Sequence, residues 1–264
     1  MPGYEADPLG DRLKGIEMQE AGRKMLPDIP VVARLDGRAF HTYTRGMYRP
    51  FDAAMQAAMA STTAALVEEF HSAVGYTQSD EITLAWPKPV LFDGRYQKLT
   101  SVLAGYCSAA FVKAARLYLP EKDSATPCFD CRVFQVPSLD EVVEVLAWRE
   151  ADAVKNSVAM AAQSVFSHKQ LQGKHRKDMM EMLFQKGINW NDYPVHFKRG
   201  VYFKRVSRMR TLTEEERARI PEKYRPAPDF AVWRTSVEQL DIPPIRQVEN
   251  PAGTIFYKPV EEMR

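Results

Sequence analysis

The apolar positions switch between two periods along the chain, and the switches mark its elements. Residues 30–38, Pro-Val-Val-Ala-Arg-Leu-Asp-Gly-Arg, are a β-prone apolar run that predicts a core strand ending in a carboxylate and a glycine. After a loop carrying Arg38, His41, Arg45 and Arg49, Phe51-Asp52 opens a helix, since Met55, Met59, Thr62, Leu66 and Phe70 follow at three-to-four spacing. Residues 74–86 hold two β-prone runs split by polar Gln78-Ser79-Asp80-Glu81, as at the tip of a hairpin. A turn at Phe92-Asp93-Gly94 precedes a helix with the buried stripe Leu99, Val102, Leu103, Tyr106 and Ala110, and a strand lies near Phe129 to Val136. Strand, helix, strand-strand, helix, strand is the order of a split βαβ, ferredoxin-like unit, so the fold class expected is α+β.

Flanking this unit, residues 7–25 read as a charged helix with Leu13, Ile16 and Met25 as sparse apolar contacts, packed on the sheet edge and ending before Pro27. Ser138 with Glu141 has capping-box form, so a long helix is expected from Leu139 to about Ser167. A basic stretch with Lys169, Lys174, His175, Arg176 and Lys177 leads to a helical segment around Met179, Met182, Leu183 and Phe184. Residues 195–197 and 201–206 flank Arg199-Gly200 as a hairpin, and Thr213 opens a helix stopped by Pro221. From Tyr224 onward, Pro226, Pro228, Pro243, Pro244, Pro251 and Pro259 predict an extended tail with short strands such as 230–233. The expected division is 1–137 for the sheet unit and 138–264 for a smaller α/β C-terminal region.

The length of 264 residues and 45% hydrophobic content suffice for a large core. Lys and Arg exceed Asp and Glu by two, so an RNA surface has to come from local clustering rather than global charge. Three cysteines, Cys107, Cys128 and Cys131, are too few for a secreted disulfide framework and point to a reducing, cytoplasmic setting. The N-terminus lacks signal-peptide form, and no apolar run is long enough for a bilayer, so no membrane partner is expected.

A carboxylate at the end of a buried strand costs several kcal/mol unless something binds it, although Asp-Gly alone also reads as an ordinary turn. A second acidic strand tip shifts the balance. Asp36 and Asp80, one from each, make an oxygen-rich site suited to Mg²⁺, which takes one or two carboxylates plus substrate phosphates. Such a pair serves phosphoryl or nucleotidyl transfer by two metals. Arg95 and Lys98 open a helix where the macrodipole favours anions, so they either await a phosphate or are ordinary solvated cations. Cys128 and Cys131 lack the further ligands a zinc site needs, and His168 and His175 lack them too. No Gly-x-Ser-x-Gly elbow or P-loop signature occurs.

Arg34-Leu35-Asp36-Gly37-Arg38-x-Phe40-His41, Gln78-Ser79-Asp80-Glu81, Trp148-Arg149-x-x-Asp152, and Asn189-x-Asn191 with Lys198-Arg199-Gly200 together resemble the tRNA-histidine guanylyltransferase superfamily, from about residue 8 to 206. The resemblance implies a polymerase/cyclase-like palm that adds nucleotides to the 5′ end of tRNA, after activation of that end by ATP. It implies that Asp36 and Asp80 are catalytic and hold two Mg²⁺ ions with the Gly37 carbonyl. ATP and GTP or other nucleoside triphosphates are the implied substrates. Gly37, Arg38, Phe40, His41, Arg49, Ser79, Arg95 and Lys98 are the nucleotide positions. Glu81 matches the family but is assigned a structural role, because the neighbour of Asp80 on a strand faces the other way. A homotetramer is implied as well.

One segment departs from the family pattern. Where eukaryotic guanylyltransferases carry His-Ile-Asn-Asn, this chain has Ala153-Val154-Lys155-Asn156. That favours the guanylyltransferase-like branch, which repairs 5′-truncated tRNA by templated 3′-5′ addition, over addition of a single 5′ G to tRNA-histidine. Asp152, Asn156, Lys174, Arg176, Lys177, Asn191 and Arg199 are the expected RNA contacts, joined by Lys169, Lys198, Lys204 and Arg205. A palm-type nucleotide cyclase and a tRNA-binding protein without catalysis are the rival readings.

Overall fold

Val32, Ala33 and Leu35 are fully buried because their strand is covered on both faces and paired on both sides. This computed structural model describes residues 7–122 and 125–257. Its centre is β1 (Val31–Gly37), flanked by β3 (Glu81–Trp86) and β4 (Phe129–Gln135), with β2 (Val74–Gln78) beyond β3. β5 (Val201–Thr211) and β6 (Ala231–Leu240) continue the same sheet outside β2, giving the order β4-β1-β3-β2-β5-β6. Every pairing is antiparallel. The first four strands therefore have the expected split βαβ order.

The helices are α1 (Pro8–Ala21), α2 (Phe40–Tyr43), α3 (Ala53–Glu69), α4 (Tyr96–Tyr118), α5 (Leu139–Gln163), α6 (His168–Leu171), α7 (Arg176–Gln185), α8 (Val195–Arg199), α9 (Glu214–Ala218) and α10 (Pro251–Phe256). α3 starts where Asp52 accepts from the Met55 amide, and Met55, Met59, Thr62 and Leu66 are buried against the sheet. α3 and α4 cover one face through Leu35, Leu66, Leu84, Leu103 and Phe111. α5 covers the other, packing Val142 and Leu146 on Val32, Tyr76 and Tyr202.

Four expectations are corrected. The N-terminal helix ends at Ala21, has no buried residue and leaves Leu13 and Ile16 half-exposed; Met25 instead donates its amide to Gly94 and enters the core. α5 stops at Gln163, because Ser167 and Gln170 cap a separate α6. Residues 195–197 are the helix α8 rather than a strand: Phe197 stacks on Phe51 at 4.9 Å, and Gly200 at φ 79° turns the chain into β5. The supposed tail is largely ordered, since β6 pairs with β5 from Tyr202↔Leu240 to Thr211↔Ala231, and Ile245, Thr254 and Ile255 are buried. Pro259 lies outside the described residues.

Candidate active site

β1 and the β2–β3 hairpin end together at one edge of the sheet. Asp36 pairs in register with Glu81, and directly opposite residues share a face, so both point to the α5 side. Asp80 occupies the two-residue hairpin turn with Ser79, which adopts φ 55°. The Gly37 amide donates to the Asp80 carbonyl at 3.0 Å, tying the two acidic tips together. A Cβ on residue 37 would come within 2.4 Å of the Phe40 ring, so glycine is needed where β1 meets that side chain.

Two cavities flank Asp80. One, about 480 Å³, is lined by Gly37, Phe40, His41, Arg49, Ser79 and Asp80, together with Tyr48, Phe51, Met160 and Phe197. The other, about 380 Å³, is polar and lined by Arg34, Asp36, Tyr76, Ser79, Asp80, Glu81, Arg149, Asp152 and Asn156. Burial pushes the Asp80 carboxyl above its usual range. Bonds from its own amide and from Ser79 Oγ at 3.1 Å pull it down, and the Asp36 charge raises it again. Two carboxylates in mutual repulsion in a half-buried tip fit a divalent cation, which would relieve both. Among the described residues no group of three or more His, Cys, Asp or Glu side chains is arranged to hold a metal ion, so Cys128 and Cys131 belong to no such group.

Glu81 is not turned away from Asp80: it lines the same polar cavity, shares the face of Asp36 and is held there. Arg149 Nε and Nη2 donate to its two carboxylate oxygens at 2.5 and 2.8 Å, and Arg34 Nε stands at 3.9 Å. Burial raises the Glu81 carboxyl, and the Arg149 charge opposes that rise. Arg149 also donates to Asp152 at 3.0 Å, and Asn156 donates to the same Asp152 oxygen at 3.2 Å. The pairing spans 68 residues, so no local spacing reveals it.

The other expected residues divide. His41 is exposed and Phe40 is buried, its ring against Tyr43, Phe111 and Phe129. Arg38 is exposed and lines neither cavity. Arg95 and Lys98 are not brought to the carboxylates. α4 begins beside Gln135, which faces Val31, so the length of β1, about 20 Å, separates them from Asp36.

Lys169, Lys174, Arg176, Lys177 and Asn191 are exposed. Arg199 turns inward to Glu150 and the Ile242 carbonyl, both at 3.1 Å. Lys204 is 7% exposed and donates to the Thr254 carbonyl at 2.5 Å. Lys198 donates to the Asn191 carbonyl, and Arg205 pairs with Glu68. The aromatic wall of the larger cavity, Tyr48, Phe51 and Phe197, was not anticipated; its one sequence signal is the aromatic pair around Arg49-Pro50.

The family model described as "Thg1: tRNAHis guanylyltransferase" matches residues 10–137. A solved structure titled "Bacterial tRNA(HIS) Guanylyltransferase (Thg1)-Like Protein in complex with ATP" superposes with a TM-score of 0.76 at 33% identity, covering 94% of this chain and 99% of that one. A second, titled as the bacterial Thg1-like protein in complex with GTP, gives 0.71 at 28% identity, covering 96% and 100%. A probable tRNA(His) guanylyltransferase of Drosophila melanogaster is 28% identical over 87% of this chain and 85% of its own length. Among the described residues no helix is long and apolar enough to cross a membrane. The matches span the sheet, the helices and the two acidic tips alike, and the chain belongs to the Thg1 family of tRNA guanylyltransferases, which are nucleotidyltransferases.

Proposed function

We propose that this protein adds a nucleotide to the 5′ end of a tRNA, with the β1 and β2–β3 tips as the reaction centre of a polymerase-like palm. The observation that carries the reading is that Asp36 and Asp80 line one polar cavity, with Asp80 also bordering the larger one, in a chain of this family. Two Mg²⁺ ions, held by Asp36, Asp80 and the Gly37 carbonyl, would supply a charge sink for phosphate oxygens and a more acidic hydroxyl. The chain's own groups bind and orient. The Tyr48, Phe51 and Phe197 wall accepts a base, and His41 and Arg49 offer polar contacts to a nucleotide, ATP or GTP as in the complexes of the two bacterial neighbours. Arg95 and Lys98 contact a triphosphate at this centre only where a neighbouring subunit of a homotetramer supplies them.

The relatives' names support guanylyl addition to tRNA-histidine better than templated repair. Repair keeps one observation of its own. Ala153 lines the polar cavity and Asn156 bonds to Asp152, in the segment whose family histidine is missing here.

Incubation with Mg²⁺, ATP, labelled nucleoside triphosphates and tRNA, intact or shortened at its 5′ end, tests the proposal. Label at the 5′ end of tRNA-histidine, lost in Asp36→Ala and Asp80→Ala, is expected. Label on shortened tRNAs that follows the facing base selects repair. A cyclic or dimeric nucleotide formed without RNA, or tRNA binding with no incorporation under any divalent ion, overturns the proposal.

A further inference from the structure

We propose that Trp148 is a stacking platform for a base of the RNA substrate, an inference that rests on the tRNA reading above. Trp148 is 54% exposed although its chain neighbours on α5, Ala147 and Arg149, are buried. The Arg149 guanidinium carbon lies 4.5 Å from the ring centroid and that of Arg34 lies 5.8 Å away. Arg149 is fixed by its two bonds to Glu81, and Arg34 stands beside the same carboxylate. The ring is thus held by two anchored cations, and an exposed aromatic held this way loses little freedom when a ligand stacks on it.

Arg34 is two residues before Asp36 on the same face of β1, and Arg34 and Arg149 both line the polar cavity that reaches Asp36 and Asp80. Trp148 lines neither cavity, but its exposed ring lies against Arg34 and Arg149, which do line the polar one, and this places it at the rim. A mononucleotide sinks into a cavity; a base whose chain continues into solvent meets the rim. The exposed positions one turn either side, Glu144 and Ala151, form no apolar patch of the kind that docks a protein. An open indole flanked by guanidinium groups is instead the chemistry that takes unpaired bases, because every base offers a π-face.

The test pairs kinetics with fluorescence. Trp148→Ala is expected to raise KM for tRNA roughly tenfold, with kcat and the nucleotide KM within about twofold, and Trp148→Phe to restore most of the loss. Trp148→Leu, which keeps apolar bulk on Arg149 but cannot stack, is expected to behave as Trp148→Ala and serves if the alanine variant does not fold. Titrating tRNA into the wild type should quench indole emission, and much of that quench should vanish in Trp148→Phe while tRNA still binds. An unchanged tRNA KM in both small variants overturns the proposal. So does a rise in the nucleotide KM alone, or a fall in kcat alone, which marks a role only in placing Arg149. If the wild type transfers no nucleotide, the functional reading fails, while the quench with tRNA still decides whether Trp148 stacks.

Discussion

The amide of Gly37 and the carbonyl of Asp80 are joined at 3.0 Å, so the end of β1 and the hairpin turn move as one piece of backbone. The separation of the two acidic tips is set by main-chain pairing, which side-chain replacement leaves in place. Substitutions at Asp36 and Asp80 therefore test charge rather than architecture.

Asp80 supplies a pH prediction. Burial, followed by the Asp36 charge, raises its carboxyl, so the folded protein holds that proton more tightly than the unfolded chain. Its contribution to stability consequently falls as pH rises from the ordinary carboxylate range through the folded value. In metal-free buffer at pH 7, Asp80→Asn should melt at a higher temperature than the wild type, with the gap closing below about pH 4. Mg²⁺ should raise the wild-type melting temperature and leave the variant nearly unmoved. A less stable variant at pH 7 without metal would count against the burial cost and the lesser Asp36 repulsion described here.

Arg149 and Glu81 are both largely buried, with side chains 10% and 17% exposed. Arg149→Met strands the carboxylate and is expected to cost about 3–5 kcal/mol, read as a lower urea midpoint. Adding Glu81→Gln should recover much of it. If the double variant is as unstable as the sum of the two single ones, the pair is not coupled as the geometry requires.

Gly200 sits at φ 79°, and a Cβ there would lie 2.5 Å from the Thr77 carbonyl oxygen. Gly200→Ala should cost about 3 kcal/mol or more, combining backbone strain with a clash that pries β5 from β2. Gly187 has φ 76° with open space around it, so Gly187→Ala should cost only about 1–2 kcal/mol. Equal losses in thermal or urea unfolding would show that the contact with Thr77 does not matter.

Lys204 gives the opposite pH slope. Burial pushes its ammonium down to about 8, so between that value and the ordinary lysine range the unfolded chain binds more protons than the folded one. Stability contributed by this group therefore rises with pH through that window. Urea unfolding at pH 7.5 and pH 10 should show the rise in the wild type, and Lys204→Met should flatten it.

Local periodicity made β1 to β4, α3, α4 and the start of α5 legible, because each shows its pattern within one short window. The acidic tips were legible for the same reason: Asp36 and Asp80 each interrupt an apolar run. β6 was legible only as a short strand at 230–233, because the prolines around it suggested an extended tail, whereas Pro243 and Pro244 follow the strand instead of breaking it. Arg199 and Lys204 read as surface cations since nothing adjacent reveals that Glu150, 49 residues away, and Thr254, 50 residues away, take them inward. The placement of Arg95 and Lys98 follows from direction alone: β3 runs away from the acidic tips, and the helix after it starts at the distant end.

The stretch recognised by the family model closes at residue 137, yet β5, which seals the outer margin of β2, starts at Val201. An excised N-terminal half would retain both aspartates but present bare amides and carbonyls along the very ribbon that carries Asp80, inviting strand-to-strand oligomers in place of a working enzyme. Anyone seeking a minimal active fragment must keep the residues that cap that ribbon, however remote they are along the polypeptide.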